Sequence, residues 1–224
     1  MRAAFFNCVG GASGDMILGA MVDAGLPMDR LARELKKLNV EGFSISVEPA
    51  KRGGVDGTHV TVHIAESAPR QKHWRDFVKM VDGSSLSASL KQKAVRVFER
   101  LGKAEAAVHK GPVDSVHLHE LASLDTLVDV CGAVVGMELL GVGSVYASPL
   151  PAGSGVFTIE HGVMPGLSPA TAALVADAKA PLGPPPAGVA DSGETVTPTG
   201  AAILTTLATF SQPVMRVERV GYGL

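Results

Sequence analysis

The sequence predicts an α/β protein with a mixed β-sheet, flanking helices and one antiparallel hairpin. Three observations predict it. Short strand-like runs alternate with segments of helical periodicity along the chain. Residues 43–47 and 60–64 both alternate apolar and polar side chains, and the stretch between them holds Gly53, Gly54 and Gly57, as a hairpin requires. An apolar run at residues 3–8 leads through a glycine-rich loop into a helix.

The elements follow in order. After the first strand and the loop, residues 16–24 read as a helix closed by Gly25. Asp29 is a cap for a second helix with Leu31, Leu35 and Leu38 on one face. In the hairpin, His59, Thr61 and His63 share the polar face, which reads as solvated. Residues 72–82 and 86–110 are helical, the longer one striped by Leu90, Ala94, Val97, Leu101 and Val108. A helix at 124–140 precedes strands at 145–147 and 156–160, and helices at 170–178 and 198–210 complete the main body. Pro184, Pro185 and Pro186 stiffen the loop between the last two helices toward polyproline II. Residues 214–220 alternate as a strand. The domain reading is therefore a main α/β domain over residues 1–212 that holds the metal site. Residues 213–224 read as the start of a C-terminal region missing from this chain.

Bulk composition excludes several classes. The net charge is −2 and the isoelectric point about 6.4, so no basic field points to nucleic acid. No apolar run reaches the ~18 residues of a membrane span. Only Cys8 and Cys131 are present, which suits a reduced, cytoplasmic protein better than a disulfide scaffold. Charged residues make up 19% and mean hydropathy is +0.24, an apolar excess that fits self-association into a homo-oligomer or a missing domain.

The most informative segment is Val116-His117-Leu118-His119-Glu120. In an extended chain His117 and His119 share one face and can chelate one ion, whereas on a helix they would stand about 200° apart. Glu120 could add an oxygen ligand or orient a histidine. Ser123 caps the next helix, where Asp125 and Asp129 share a face that continues into Gly132 and Gly136, an open acidic stripe. The candidate metal ligands are thus His117, His119, Glu120, Asp125 and Asp129. Such a mixed nitrogen and oxygen set suits nickel, zinc, iron or manganese. His73, His109 and His161 are further histidines that could join, although each alone reads as a surface residue.

The second constellation is Gly10-Gly11-Ala12-Ser13-Gly14-Asp15, between a strand and a helix. Its glycines permit close backbone approach, and Ser13 caps amides that can meet an anion. Asp15 repels a bare phosphate, so a bridging cation would be needed. Cys8 stands beside this loop. Thr197-Pro198-Thr199-Gly200 opens the last helix in the same style, with Thr197 as cap, Pro198 at the first helical position and Glu194 just before. One alternative from these residues is a metal-dependent phosphohydrolase using Asp15, Asp125 and Asp129 with Mg²⁺ or Mn²⁺. A non-catalytic nickel-binding domain is another.

Taken together, the motifs resemble the nickel insertion proteins that complete the nickel-pincer cofactor of lactate racemase. The resemblance rests on Gly11-Ala12-Ser13-Gly14-Asp15-Met16, Val116-His117-Leu118-His119-Glu120 with Asp125 and Asp129, Ser148-Pro149-Leu150, His161-Gly162, Pro169-Ala170-Thr171 and Thr197-Pro198-Thr199-Gly200. It implies a cytoplasmic metallochelatase of the lyase class that inserts Ni²⁺ into a pyridinium-3,5-bisthiocarboxylic acid mononucleotide. It further implies coupling to CTP, with Mg²⁺ or Mn²⁺, through the C-terminal half of the same protein. Within the resemblance, His117, His119, Glu120 and Asp15 act on the metal and the reaction. Gly10, Gly11, Ser13, Gly14, Thr197 and Thr199 meet the substrate. Two departures stand out: Asn7 replaces an aspartate, and His73 is what remains of a histidine-rich run.

Overall fold

The structure, a computed structural model, describes residues 1–68, 73–159, 162–184 and 193–224; the side chains of Glu120 and Ile159 also lie outside that description. The chain runs β1 (Arg2–Phe6), α1 (Gly14–Asp23), α2 (Met28–Leu35), β2 (Phe43–Arg52), β3 (Val55–Ile64), α3 (Trp74–Gly83) and α4 (Ala88–His109). It continues through α5 (Leu124–Leu139), β4 (Val142–Ala147), β5 (Leu150–Pro151), β6 (Val156–Ile159), β7 (Gly162–Pro165), α6 (Pro169–Ala178), β8 (Leu182–Gly183) and α7 (Pro198–Leu207).

The α/β class holds, with parallel and antiparallel pairing both present. Among the described residues the strands form four two-stranded sheets: β1–β4 and β5–β8 parallel, β2–β3 and β6–β7 antiparallel. The hairpin β2–β3 is longer than the alternation suggests, pairing Phe43 with Ile64 and Arg52 with Val55. Gly53 and Gly54, at φ 56° and 84°, form its two-residue turn, a conformation that favours glycine.

Helices make the core, with α5 at its centre. Leu124, Leu127, Val128, Val130, Cys131, Ala133, Val134 and Val135 are each at most 1% exposed. A helix buried all round must pack against neighbours on every side, and α5 meets α1, α2, α4, α7, β3 and β4. This corrects the open stripe expected at Gly132 and Gly136. A side chain at Gly132 would meet Leu18, and one at Gly136 would meet Met21 and Leu26. These glycines let α1 and the following turn approach the helix closely.

Other local expectations differ in detail. Pro27, not Asp29, is the cap of α2, and Asp29 instead pairs with Arg33 one turn on, at 2.8 Å. The strand expected at 214–220 does not form. Instead the chain beyond it lies along β3, where Thr58 N donates to Tyr222 O at 2.8 Å and Leu224 N donates to Thr58 O at 3.1 Å. Side chains at Gly221 or Gly223 would overlap the backbone of α1, so only glycine fits there. His161 and most of the polyproline stretch lie outside the described residues.

Candidate functional site

Four helices begin at one place. Ser13 caps α1, its Oγ accepting from Met16 N at 3.4 Å, and Thr197 caps α7, its Oγ1 accepting from Gly200 N at 3.2 Å. The two caps are tied by backbone: Ala12 N donates to Thr195 O at 2.9 Å, and Thr197 N donates to Ala12 O at 3.0 Å. Gly200 makes the junction close, because a Cβ there would overlap Ala12 O. Ser168, at the start of α6, is buried and donates to Thr171 Oγ1, which in turn donates to Val196 O at 3.1 Å. The first turn of α5 supplies Asp125, whose Oδ1 accepts from Thr126 N at 2.8 Å.

Between these ends lies a cavity of about 480 Å³. Ser13, Gly14 and Asp15 of the glycine loop and α1 line it with Asp125 and Asp129 of α5. Ser168 and Ala170 of α6, Thr197 and Thr199 of α7, and the loop residue Glu194 also face it. Phe157 and Met164, cross-strand partners in β6–β7, add an apolar wall. Its volume is in the range of small-molecule sites.

The carboxylates are not equivalent. Asp15 accepts from Ser13 Oγ and, at 2.8 Å, from Met16 N. Asp129 Oδ2 rests against Gly14, while its Oδ1 is buried with no hydrogen-bond partner. Burial, then the nearby charges of Asp15 and Asp125, hold the Asp129 carboxyl well above the ordinary carboxylate range.

A cluster of metal donors stands beside the carboxylates. Glu105 and His109, one turn apart on α4, line the same cavity, with Glu105 Oε2 3.5 Å from His109 Nε2. The ring of His119 lies 4.6 Å from that of His109, centroid to centroid. One donor atom from each of Glu105, His109 and His119 comes within 4.8 Å of the others; among the described residues no other such trio does so. A small inward adjustment would let all three reach one ion.

The expected histidine geometry needs correction. Residues 116–118 are not a strand, and His119 opens a 3₁₀ turn (His119–Leu121) in the left-handed region at φ 45°. A non-glycine residue at such φ costs on the order of 1 kcal/mol, so the local packing enforces it. The turn separates the two rings, whose centroids are 6.3 Å apart. His117 is exposed and meets His73 edge-on at 4.7 Å, whereas His119 turns to His109. Of the expected substrate contacts, Ser13, Gly14, Thr197 and Thr199 line the cavity. Gly10 is exposed, and Gly11 is buried behind the lining, against Thr195. Cys8 is absent from the lining too. Its burial pushes the thiol up to about 11.

Comparison with known proteins decides the family. The family described as nickel insertion protein matches residues 4–224. The chain belongs to it. Relatives named for nickel insertion include those of Geotalea daltonii, 43% identical, and Thermomicrobium roseum, 46% identical. Each match takes in 100% of this chain but only 56% and 54% of the relative. The pyridinium-3,5-bisthiocarboxylic acid mononucleotide nickel insertion protein of Desulfitobacterium hafniense is 39% identical over 100% of this chain and 54% of its own length. This nickel insertion family member thus spans about half the length of the curated relatives it matches. No solved structure matches it.

Of the three converging donors, His119 was an expected ligand, His109 was named only as a histidine that could join, and Glu105 was missed. Glu105 stands on the apolar stripe of α4, four residues after Leu101, and an acid in that place was the available signal. His109 follows it by one turn. Neither neighbours His119 in sequence, and only the packing of the 119–121 turn joins them.

Proposed function

We propose that this chain binds Ni²⁺ and delivers it to a pyridinium-3,5-bisthiocarboxylic acid mononucleotide. One observation carries this reading: Glu105, His109 and His119 converge to within 4.8 Å at the edge of a cavity that can hold a mononucleotide. Two imidazoles and a carboxylate form a borderline donor set that suits Ni²⁺ without the grip of a closed thiolate site. The substrate's thiocarboxylate sulfurs are softer donors. They replace the protein donors one at a time, so the ion is never released to water. Nickel is the cargo of this reaction.

In this reading His119 keeps the ligand role expected of it, and Glu105 and His109 complete the set. His117, exposed beside His73, stands outside the converging donor set. Asp15, Asp125 and Asp129 belong to the substrate cavity. The phosphohydrolase alternative needs those three carboxylates to share one cation, yet their donors do not converge as the histidine group does. The reaction is then a metal chelation of the lyase class, carried out in the cytoplasm. Coupling to CTP with Mg²⁺ or Mn²⁺ is assigned to the part of the relatives that this chain does not span, and the apolar excess to contacts with that part or with a second copy.

The test is nickel transfer followed by mass spectrometry of the mononucleotide, with and without CTP. The chain should yield a nickel-containing product, at least stoichiometrically, and His109→Ala and His119→Ala should abolish it. Unchanged product with both variants overturns the reading, and nickel binding without transfer favours the non-catalytic alternative.

A further inference from the structure

Three consecutive residues at the start of α3 grip the loop that leads to His119. His73 Nδ1 and Val116 O are 3.0 Å apart, Trp74 Nε1 donates to Val113 O at 2.9 Å, and Arg75 pairs with Asp114. A carbonyl oxygen only accepts, so Nδ1 of His73 carries the proton and donates it. That hydrogen bond fixes the tautomer and leaves Nε2 as the lone-pair nitrogen of the neutral ring. Histidines that ligate metals are commonly held in this way, one nitrogen donating to a backbone carbonyl while the other meets the ion.

On the same loop Val116 and Leu118 are buried, and His117 stands exposed between them. Its ring meets that of His73 with centroids 4.7 Å apart and planes at 64°. Two imidazoles at neighbouring positions of one ion, with metal–nitrogen bonds of about 2.1 Å, have centroids about 4.6 Å apart at a right angle and about 5.3 Å apart at the tetrahedral angle. The observed spacing falls in that range. Neither ring belongs to the group formed by Glu105, His109 and His119.

We propose that His73 and His117 form a second metal site, which takes a divalent ion from solvent and passes it to the cluster. This rests on the nickel reading above and adds where the ion first lands. Two imidazoles without a carboxylate hold an ion more weakly than Glu105, His109 and His119 together, so transfer runs toward the cluster. The path is short, since the His117 ring lies 6.3 Å from that of His119. Passage is a ligand exchange: bonds to water and to the pair break as bonds to the cluster form, with no change of oxidation state.

Calorimetric titration of the full chain with Ni²⁺ alone tests the site. The isotherm should show two events, the weaker at least about ten-fold below the tighter in affinity. His73→Asn, which keeps a donor for Val116 O but removes the imidazole, should abolish the weaker event, as should His117→Ala. Both should leave the tighter event within about three-fold, whereas His109→Ala should remove the tighter event and keep the weaker. In stopped flow, with Ni²⁺ drawn from a coloured indicator, His117→Ala should fill the cluster at least about five-fold more slowly. Thermal melts confirm that each variant is folded. A single event in the unmodified chain overturns the second site, and so does a weaker event that survives both variants, which marks an adventitious ion only. An unchanged filling rate in His117→Ala overturns the transfer role. If His109→Ala and His119→Ala leave both events intact, the cluster reading falls, and the second site stands as long as His73→Asn and His117→Ala still remove the weaker event.

Discussion

Gly14 and Asp129 touch: a Cβ on Gly14 would overlap both carboxylate Oδ2 and Cβ of Asp129. The glycine at the start of α1 is therefore a close-approach position that lets the acidic turn of α5 sit beside the glycine loop. This contact is what places Asp15 and Asp129 at one end of the cavity.

Gly14→Ala should destabilise the fold by about 1–3 kcal/mol, because the overlap falls on a side chain hemmed in by burial. Urea denaturation measures it. Combined with Asp129→Ala, the loss should be clearly less than the sum of the two single losses, since the second change removes the obstacle. Strict additivity would mean that the two residues do not meet.

Asp129→Asn should stabilise the protein at neutral pH. The native carboxyl takes up a proton more readily than the unfolded one, because burial and the charges of Asp15 and Asp125 raise it. Between the ordinary aspartate value and the raised native one, the folded state holds more protons, so its stability falls as pH rises. The penalty is absent below the ordinary range and complete above the native value. The melting-temperature gain of the variant should therefore be largest at high pH and vanish in acid. A gain independent of pH contradicts this.

Removing either imidazole of the donor cluster should weaken Ni²⁺ binding by at least about ten-fold, as followed by calorimetry. His109→Ala and His119→Ala should behave alike. His117→Ala should change affinity by less than about three-fold, since its ring pairs with His73 and not with the cluster. A larger effect at His117 than at His119 would restore the adjacent-histidine site that the sequence spacing suggests.

Both thiols should be inert in the native protein. Burial raises Cys8 to about 11 and Cys131 to about 12, so neither forms appreciable thiolate at pH 8. A thiol reagent at that pH should modify them only at the rate of unfolding, and denaturant should expose both at once. Rapid modification of Cys8 alone would place it on an accessible surface beside the glycine loop.

Much of the local structure could be read from the chain. Hairpin alternation at 43–47 and 60–64, Gly25 after α1 and the caps Ser13 and Thr197 rest on neighbours in sequence, and each is found in place. The cavity lining was legible in part through Ser13, Gly14, Asp15, Asp125, Asp129, Thr197 and Thr199. The errors also share a cause. Gly132 and Gly136 read as an open face because a glycine that admits a neighbouring helix looks like a glycine that faces water. His117 and His119 read as a pair because alternation describes an extended strand, and the left-handed turn at His119 ends it.

Residue types and their spacing were enough for the α/β class, for most helix ends and for the motifs that mark a nickel insertion protein, because these depend on interactions within a few residues. Tertiary packing chose His109 and Glu105 as the companions of His119 and turned Asp129 into a buried, raised carboxyl. It also brought four helix starts around one cavity. Those outcomes depend on how α1, α4, α5, α6 and α7 close on each other across the chain, where spacing along the sequence carries no information about distance.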